Sequence, residues 1–194
     1  MKLIFKMMCI ILLVGACKQE KSVLVNDPVI PAVYNLESDQ GKSDFLHMLW
    51  KKDQGIRQGQ YSDALIKYGK GSDKLMAVHD SLARIDKSIF LTMKKYLELY
   101  GYPENISSYH ELAINAFPII IGHNHNYDDQ LALLPFLYEG YKKGHCSLGD
   151  LVWLLGEMHE SKYQGKRYEM KSNRFTTEQE FIELNEALEL GLSL

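Results

Sequence analysis

Apolar residues recur every three to four positions along most of this chain, which is the spacing of one face of an α-helix. The longest such stripe runs from Leu75 to Tyr100. Ser72 and Asp73 precede the stripe and Gly101 follows it, and these residue types favour the first and last positions of helices. We therefore predict one long helix between these caps.

The same spacing predicts the other helices. One begins after a Ser43 cap, and another begins at Ser108, where Glu111 completes a capping box and Pro118 is expected to kink or split the helix. Three more helices are predicted. One covers 128–143, one begins at Ser147 with Asp150 in the capping-box position, and one begins near Thr177 with Glu180 three residues later. The segment 163–174 lacks periodicity and is predicted to be a loop. The predicted fold is an all-α single domain of five to six helices packed as an irregular bundle.

The first seventeen residues follow a different pattern. Lys2 and Lys6 precede an apolar run over 7–16, which is too short to cross a bilayer because a spanning helix needs about 20 apolar residues. A positive start, a short apolar run and small residues at its end are typical of a cleaved export signal. The ending Val14-Gly15-Ala16-Cys17 resembles the lipobox of bacterial lipoproteins, in which the cysteine is acylated and becomes the new N-terminus.

This pattern defines the expected organisation and location. We expect a signal peptide over 1–16, lipidation of Cys17, a flexible tether over 17–41 and a helical domain over 42–194. The resemblance implies a lipid-anchored protein of the bacterial cell envelope that faces the periplasm or the cell surface.

Charge limits the partners of the chain. It has 22 basic and 25 acidic residues, and loss of Lys2 and Lys6 with the leader leaves 20 against 25, a net charge of −5. This acidic balance argues against a nucleic-acid partner, because phosphate neutralisation requires basic patches. We expect attachment to the membrane through acylated Cys17, and a partner that is an unidentified protein or small molecule.

Cysteine content excludes a disulfide framework. Cys9 would leave with the leader and Cys17 would carry lipid, so Cys146 would be the one remaining thiol. His145 next to it suggests an activated nucleophile, but adjacent residues seldom face each other on a helix or strand. A small buried or loop thiol is the favoured interpretation.

Four charged or polar residues lie on the apolar stripes, where an unpaired charge would be costly. Asp53 and Arg57 each point within about 20° of the direction of Leu46 at 100° per residue. Asp86 lies near the middle of the long stripe, and His123 follows the apolar run that ends at Ile121. Two interpretations remain open: a buried ion network that holds helices in register, or a cleft in which Arg57 binds an anion and His123 or Asp86 acts as acid or base.

A metal site is a weaker alternative. His123 and His125 are two residues apart, so both reach one ion only in an extended or loop conformation, with Asp128 as a third ligand. The surrounding Asn-rich sequence is equally typical of a turn before a helix. We therefore expect no cofactor, with a divalent metal as the alternative.

The order of short motifs in this chain resembles an uncharacterised bacterial family that is described only as a domain of unknown function. Asp53-Gln54-Gly55-Ile56-Arg57 matches its D-Q-x-x-R motif, and Tyr100-Gly101-Tyr102-Pro103 matches its Y-G-x-P motif. Asp86 aligns with a helical acid of the family, and His123 aligns with the histidine of its Q-H motif. The resemblance spans roughly 46–171 and implies a fold unit, without implying an activity.

Three positions depart from the family pattern. Gly122 stands in place of the glutamine before the histidine. Glu157-Met158 replaces an Asp-Arg pair, and Tyr168-Glu169-Met170-Lys171 stands where Y-G-T-Q is expected. If the family has a ligand or catalytic site, its C-terminal half is altered here.

From these patterns alone, we expect a helical domain that binds a partner or a small anionic ligand without catalysis. The main alternative is a hydrolase-type enzyme that uses His123 with Asp53, Asp86 and Arg57, with or without a metal. A structural envelope protein without a ligand is the third interpretation.

Overall fold

The computed structural model describes residues 32–169 and 176–194 and shows no strand among them. The first helical rod consists of α1 (Asp39–Gly55), a π-helical turn (Ile56–Tyr61) and α2 (Ser62–Tyr68), which follow one another without a break. The other helices are α3 (Asp73–Tyr100), α4 (Glu111–Gly122), α5 (Tyr127–Lys142), α6 (Leu148–Lys162) and α7 (Thr177–Leu188). The described chain therefore forms six helical rods that pack as an all-α bundle, as predicted.

Helices α1, α3, α4, α5, α6 and α7 all contribute buried residues to the core. The most extensive contacts join α1 to α4 and α6 to α7, and α4 also packs on α3 and α6. Helix α4 lies at the centre of this arrangement, with Ala113, Ala116, Phe117 and Ile121 fully buried. None of the described helices is both long and apolar enough to cross a membrane.

Three predicted caps are confirmed. The Ser72 hydroxyl accepts a hydrogen bond from the Leu75 amide at the start of α3, and Gly101 ends that helix with a φ of +68°. Ser147 and Asp150 form the predicted capping box of α6. Caps depend on residues that are close in the sequence, which is why a local pattern identifies them.

Two predicted helix starts are wrong. Helix α1 begins five residues earlier than expected because Ser38, not Ser43, is its cap and accepts from the Gly41 amide. Ser43 is buried instead, and its hydroxyl accepts from the His110 amide at 2.8 Å.

Ser108 likewise belongs to a 3₁₀ turn (Ile106–Ser108) and not to the start of α4. Helix α4 begins at Glu111, and the Nδ1 atom of His110 accepts from the Leu112 amide at 3.1 Å. Pro118 does not split this helix, which runs on to Gly122 with the proline ring buried.

The folded part begins before residue 42. Val33 lies in a 3₁₀ turn (Val33–Asn35) and is fully buried in the core. The Tyr100 hydroxyl donates to the Val33 carbonyl and accepts from the Leu36 amide, so the end of α3 holds this segment in place. The expected tether over 17–41 is therefore corrected for 33–41, which are part of the bundle, while 17–31 lie outside the described residues.

The predicted loop over 163–174 is partly described. Residues 163–169 contain turns and no helix or strand, and 170–175 lie outside the described residues. Cys17, the signal sequence and the motif residues Met170 and Lys171 also lie outside them.

Candidate functional site

Asp53, Arg57, Asp86 and His123 form one continuous chain of polar contacts. The Nδ1 atom of His123 lies 3.0 Å from Oδ1 of Asp53. Oδ2 of Asp53 lies 3.5 Å from Nε of Arg57, and Nη2 of Arg57 donates to Oδ1 of Asp86 at 2.6 Å. Three helical rods thus contribute to a single network.

Each of these side chains occupies the end or the middle of a packed element. Asp53 lies in the last turn of α1, Arg57 in the π-helical turn and Asp86 near the middle of α3. His123 directly follows α4, and its backbone amide donates to the Ile119 carbonyl. The bundle therefore fixes the positions of all four residues.

The π-helical turn is a feature that the sequence analysis did not predict. Its hydrogen bonds span five residues instead of four, and such turns are frequent at functional sites. The turn begins directly after Gly55 and contains Arg57 and Gly59. Two glycines four residues apart inside a helical pattern are the signal that could have indicated it, since glycine weakens α-helix formation.

Asp53 is the buried centre of the network, with 1% of its surface exposed. Burial alone would raise the pKa of Asp53, but the hydrogen bond and charge of His123, the charge of Arg57 and the hydrogen bond from Gln54 together lower it. The Nε2 atom of Gln54 donates to Oδ2 of Asp53 at 2.8 Å. Asp53 is therefore ionised at neutral pH.

The pKa of Asp86 shifts in the opposite direction. Burial raises the pKa of Asp86 above its ordinary value, and the charge and hydrogen bond of Arg57 offset this effect only in part. The two carboxylates that share Arg57 thus differ in their tendency to hold a proton.

The contact with Asp53 determines how His123 carries its proton. An ionised carboxylate only accepts hydrogen bonds, so we assign the proton of the neutral imidazole to Nδ1. The Nε2 atom is then a hydrogen-bond acceptor and base, and it has no hydrogen-bond partner among residues 32–169 and 176–194. The ring also meets Trp153 edge to face, with the centroids 6.0 Å apart, which further fixes its orientation.

An open pocket of about 420 Å³ lies next to this network, and Arg57, Asp86 and His123 line it. Asp53 does not line it, because it lies behind His123. Helix α3 contributes an apolar wall, and the segment between α4 and α5 contributes polar side chains. The full lining consists of Arg57, His79, Leu82, Ala83, Asp86, Lys87, Phe90, Leu91, His123, Asn124, His125, Asn126 and Asp129.

The suggested metal ligands do not form a cluster. In the described part of the chain, no group of three or more His, Cys, Asp or Glu side chains is arranged to hold a metal ion. His123 and His125 both line the pocket, but Asp128 lies in the first turn of α5 and is not part of the lining. The Nδ1 atom of His123 is already used by Asp53.

The second motif, Tyr100-Gly101-Tyr102-Pro103, lies away from this pocket and has a structural role. Tyr100 holds the segment around Val33, as described above. The Tyr102 ring packs on Gly140, where a Cβ atom would lie 2.8 Å from the ring. The Pro103 carbonyl lies 3.0 Å from Nδ1 of His145, so this histidine is bound to the backbone beside Cys146.

One departure from the family pattern, Gly122, has a structural explanation, and the tyrosine that matches the last motif has a structural role. A Cβ atom at Gly122 would lie 2.5 Å from the Trp153 ring and 3.2 Å from Cγ of Glu157, so glycine makes room for these side chains. Tyr168 donates from its hydroxyl to Oε2 of Glu183 at 3.0 Å, which joins the segment after α6 to α7.

Comparison with known proteins adds no relative. No protein-family model matches this chain, and searches of curated proteins and of solved structures give no match either. The resemblance based on ordered motifs therefore stays a prediction, and the function is argued from the pocket.

Proposed function

We propose that this domain is an acid–base enzyme of the hydrolase type, in which His123 accepts a proton from water or from the ligand in the pocket. The observation that carries this proposal is the contact between His123 and the buried carboxylate of Asp53, with the imidazole in the pocket wall. A carboxylate on Nδ1 holds the ring in one tautomer and stabilises the imidazolium that forms when Nε2 takes a proton.

The pocket lining favours water as the nucleophile. It contains no serine, threonine or cysteine, so there is no side-chain nucleophile of the kind that a histidine commonly activates. Asp86, whose pKa burial raises, lies on the same wall and is the group best suited to return a proton to a leaving group. Arg57 has a positioning role here, because its guanidinium is already shared by Asp53 and Asp86.

The test is a comparison of hydrolysis rates for generic esters, amides and phosphate esters. Loss of general-base catalysis reduces a rate by about 10²–10⁴-fold, and we expect a reduction of that order in His123→Asn. His145→Asn is the matched control, since its Nδ1 atom also lies 3.0 Å from an oxygen but the residue does not line the pocket. Equal turnover by wild type and a folded His123→Asn variant would exclude the proposal.

Ligand binding without catalysis is the second candidate. It is favoured by two observations together: an open pocket of about 420 Å³ is present, and Arg57 is already paired with Asp53 and Asp86, as in a network that holds helices in register and needs no catalytic role. Saturable binding of a ligand in the pocket, with no conversion by wild type at any pH, would support this candidate over the enzyme.

For the location of the protein in the cell, we propose that it is lipid-anchored in the cell envelope, based on the leader and Cys17 alone. Membrane fractionation and glycerol labelling of wild type and Cys17→Ser test it. We expect the wild-type protein to be labelled and bound to the membrane, and the Cys17→Ser variant to be unlabelled and released from it. Retention of the leader in mature wild type would contradict it.

A further inference from the structure

The charged side chains of the pocket differ in whether they already have partners. Asp86 accepts from Arg57, and Asp53 accepts from Gln54 and contacts His123 and Arg57. By contrast, Lys87 and His79, both exposed on the pocket side of α3, make no hydrogen bond or ion pair with any residue in 32–169 or 176–194.

Asp129, the other acid of the lining, is also satisfied. Oδ2 of Asp129 accepts from the Asn124 amide at 3.2 Å, and the residue lies in the first turn of α5, where the helix dipole favours a negative charge. A ligand that enters the pocket therefore meets acidic side chains that already have hydrogen-bond or ion-pair partners and basic side chains that have none among the described residues.

From this contrast, we propose that the pocket binds a small organic oxyanion, a carboxylate or phosphate monoester with an apolar group attached. This inference rests on the proposed function and specifies its substrate class. The Lys87 ammonium and the His79 imidazole contact the oxyanion near the mouth. Leu82 and Leu91 contact the apolar group, and the pocket volume of about 420 Å³ leaves room for one aromatic ring with its acidic substituent.

The negative charge inside the network does not prevent this. Asp86 is uncharged when it holds the proton that the proposed function requires, and Arg57 then neutralises Asp53, which is 1% exposed behind His123. His125 also lines the pocket, but its charge acts on Glu157, where it offsets part of the rise in pKa that burial and Glu160 cause, and so it is partly compensated. Lys87 therefore makes the clearest single contribution.

The experiment uses four probes of similar size: phenyl phosphate, benzoate, neutral benzamide and cationic benzylamine. Calorimetric titration should show that the two anions bind more tightly than the other two, and that added salt weakens their binding because screening reduces the attraction of Lys87. Loss of one exposed charge weakens binding by about two- to fivefold, and we expect this for Lys87→Gln with the anions only.

Lys70→Gln is the matched control, since Lys70 is an exposed lysine between α2 and α3 that does not line the pocket. Equal effects of the two lysine variants, tighter binding of benzamide or benzylamine, or no binding of either anion would each overturn the inference. The His123→Asn variant separates the two proposals. Unchanged turnover in that variant refutes the acid–base role, whereas the preference for anions is judged from wild type and Lys87→Gln.

Discussion

The imidazole of His123 and the carboxylate of Asp53 are 70 residues apart in the chain and meet at 3.0 Å, where α4 ends against the last turn of α1. The carboxylate is almost completely buried, while the imidazole reaches the pocket. The bundle thus removes the acid from water and leaves the base accessible. This division of roles between two neighbouring groups is what an acid–base site requires.

Replacement of Asp53 by asparagine should destabilise the domain strongly. Removal of one partner from a buried ion network costs about 3–5 kcal/mol, because the remaining charges lose compensation. Urea unfolding of wild type and Asp53→Asn measures this difference. Asp80→Asn is the control, since Asp80 is exposed on α3 and its carboxylate makes no contact in the network. A similar small effect of both substitutions would show that the network contributes little to stability.

The two carboxylates on Arg57 should give pH dependences of opposite sign. The pKa of Asp53 lies below its ordinary value of 3.8. Its contribution to the free energy of unfolding is therefore present above pH 3.8 and is lost as the pH falls through the folded-state pKa. The pKa of Asp86 lies above 3.8, so Asp86 stays protonated to a higher pH in the folded state than in the unfolded state. Its contribution to the free energy of unfolding therefore decreases as the pH rises from 3.8 through the folded-state pKa.

Unfolding of wild type and Asp86→Asn between pH 3 and pH 7 tests this. The unfolding free energy of wild type minus that of Asp86→Asn should decrease as the pH rises above about 3.8, since only wild type carries the titrating group. If this difference in unfolding free energy increases over the same range, the effect of Arg57 on the pKa of Asp86 is larger than the effect of burial.

The sequence predicts local features of this fold better than features that depend on distant partners. The caps Ser72 and Ser147 are recognised because their partners are three residues away. Ser43 has the same cap chemistry but is buried, and its hydroxyl accepts from His110, 67 residues away. A histidine as the cap of α4 and the π-helical turn have no strong local signal.

The candidate site follows the same division. Asp53, Arg57, Asp86 and His123 are recognisable because charge on an apolar helix face is unusual and needs compensation. The pocket mouth is not recognisable in this way, because His79 and Lys87 are exposed polar residues on a helix that has many. Only the packing of α3 against the segment between α4 and α5 shows that they share a cavity.

Gly122 and Gly156 should respond to alanine in opposite directions. A Cβ atom at Gly122 would lie 2.5 Å from the Trp153 ring, and overpacking of this kind costs about 1–3 kcal/mol. Gly156 is also inside a helix but has nothing within 4 Å of the added atom, so alanine there should stabilise by about 0.5–1 kcal/mol.

Thermal unfolding of the two variants makes this comparison, and Trp153→Leu combined with Gly122→Ala should recover part of the loss, since it removes the clashing ring. If Gly122→Ala is as stable as wild type, Trp153 moves freely, and the edge-to-face contact does not fix the His123 ring.

The Cys146 thiol should be unreactive in the folded protein. It is 7% exposed, and burial raises its pKa to about 12, so almost no thiolate exists at neutral pH. Thiolate is the reactive form, and we expect alkylation by iodoacetamide at pH 7 to be at least about tenfold slower in native than in urea-unfolded protein. The measurement uses Cys17→Ser protein, with Cys146→Ser as the blank. Rapid alkylation of the native protein would revive the alternative of a nucleophile next to His145.

His47 should make the domain less stable in mild acid. Its ring stacks on His110 with centroids 4.1 Å apart, and packing, followed by the charges of Lys51 and His110, lowers its pKa below 6.5. The folded state therefore binds fewer protons than the unfolded state below pH 6.5, and stability decreases as the pH falls through that range.

His47→Phe tests this, since phenylalanine keeps a stacked ring but takes up no proton. Urea midpoints between pH 8 and pH 5 should fall less steeply for this variant than for wild type. Identical slopes would show that His47 does not contribute to the pH dependence of stability.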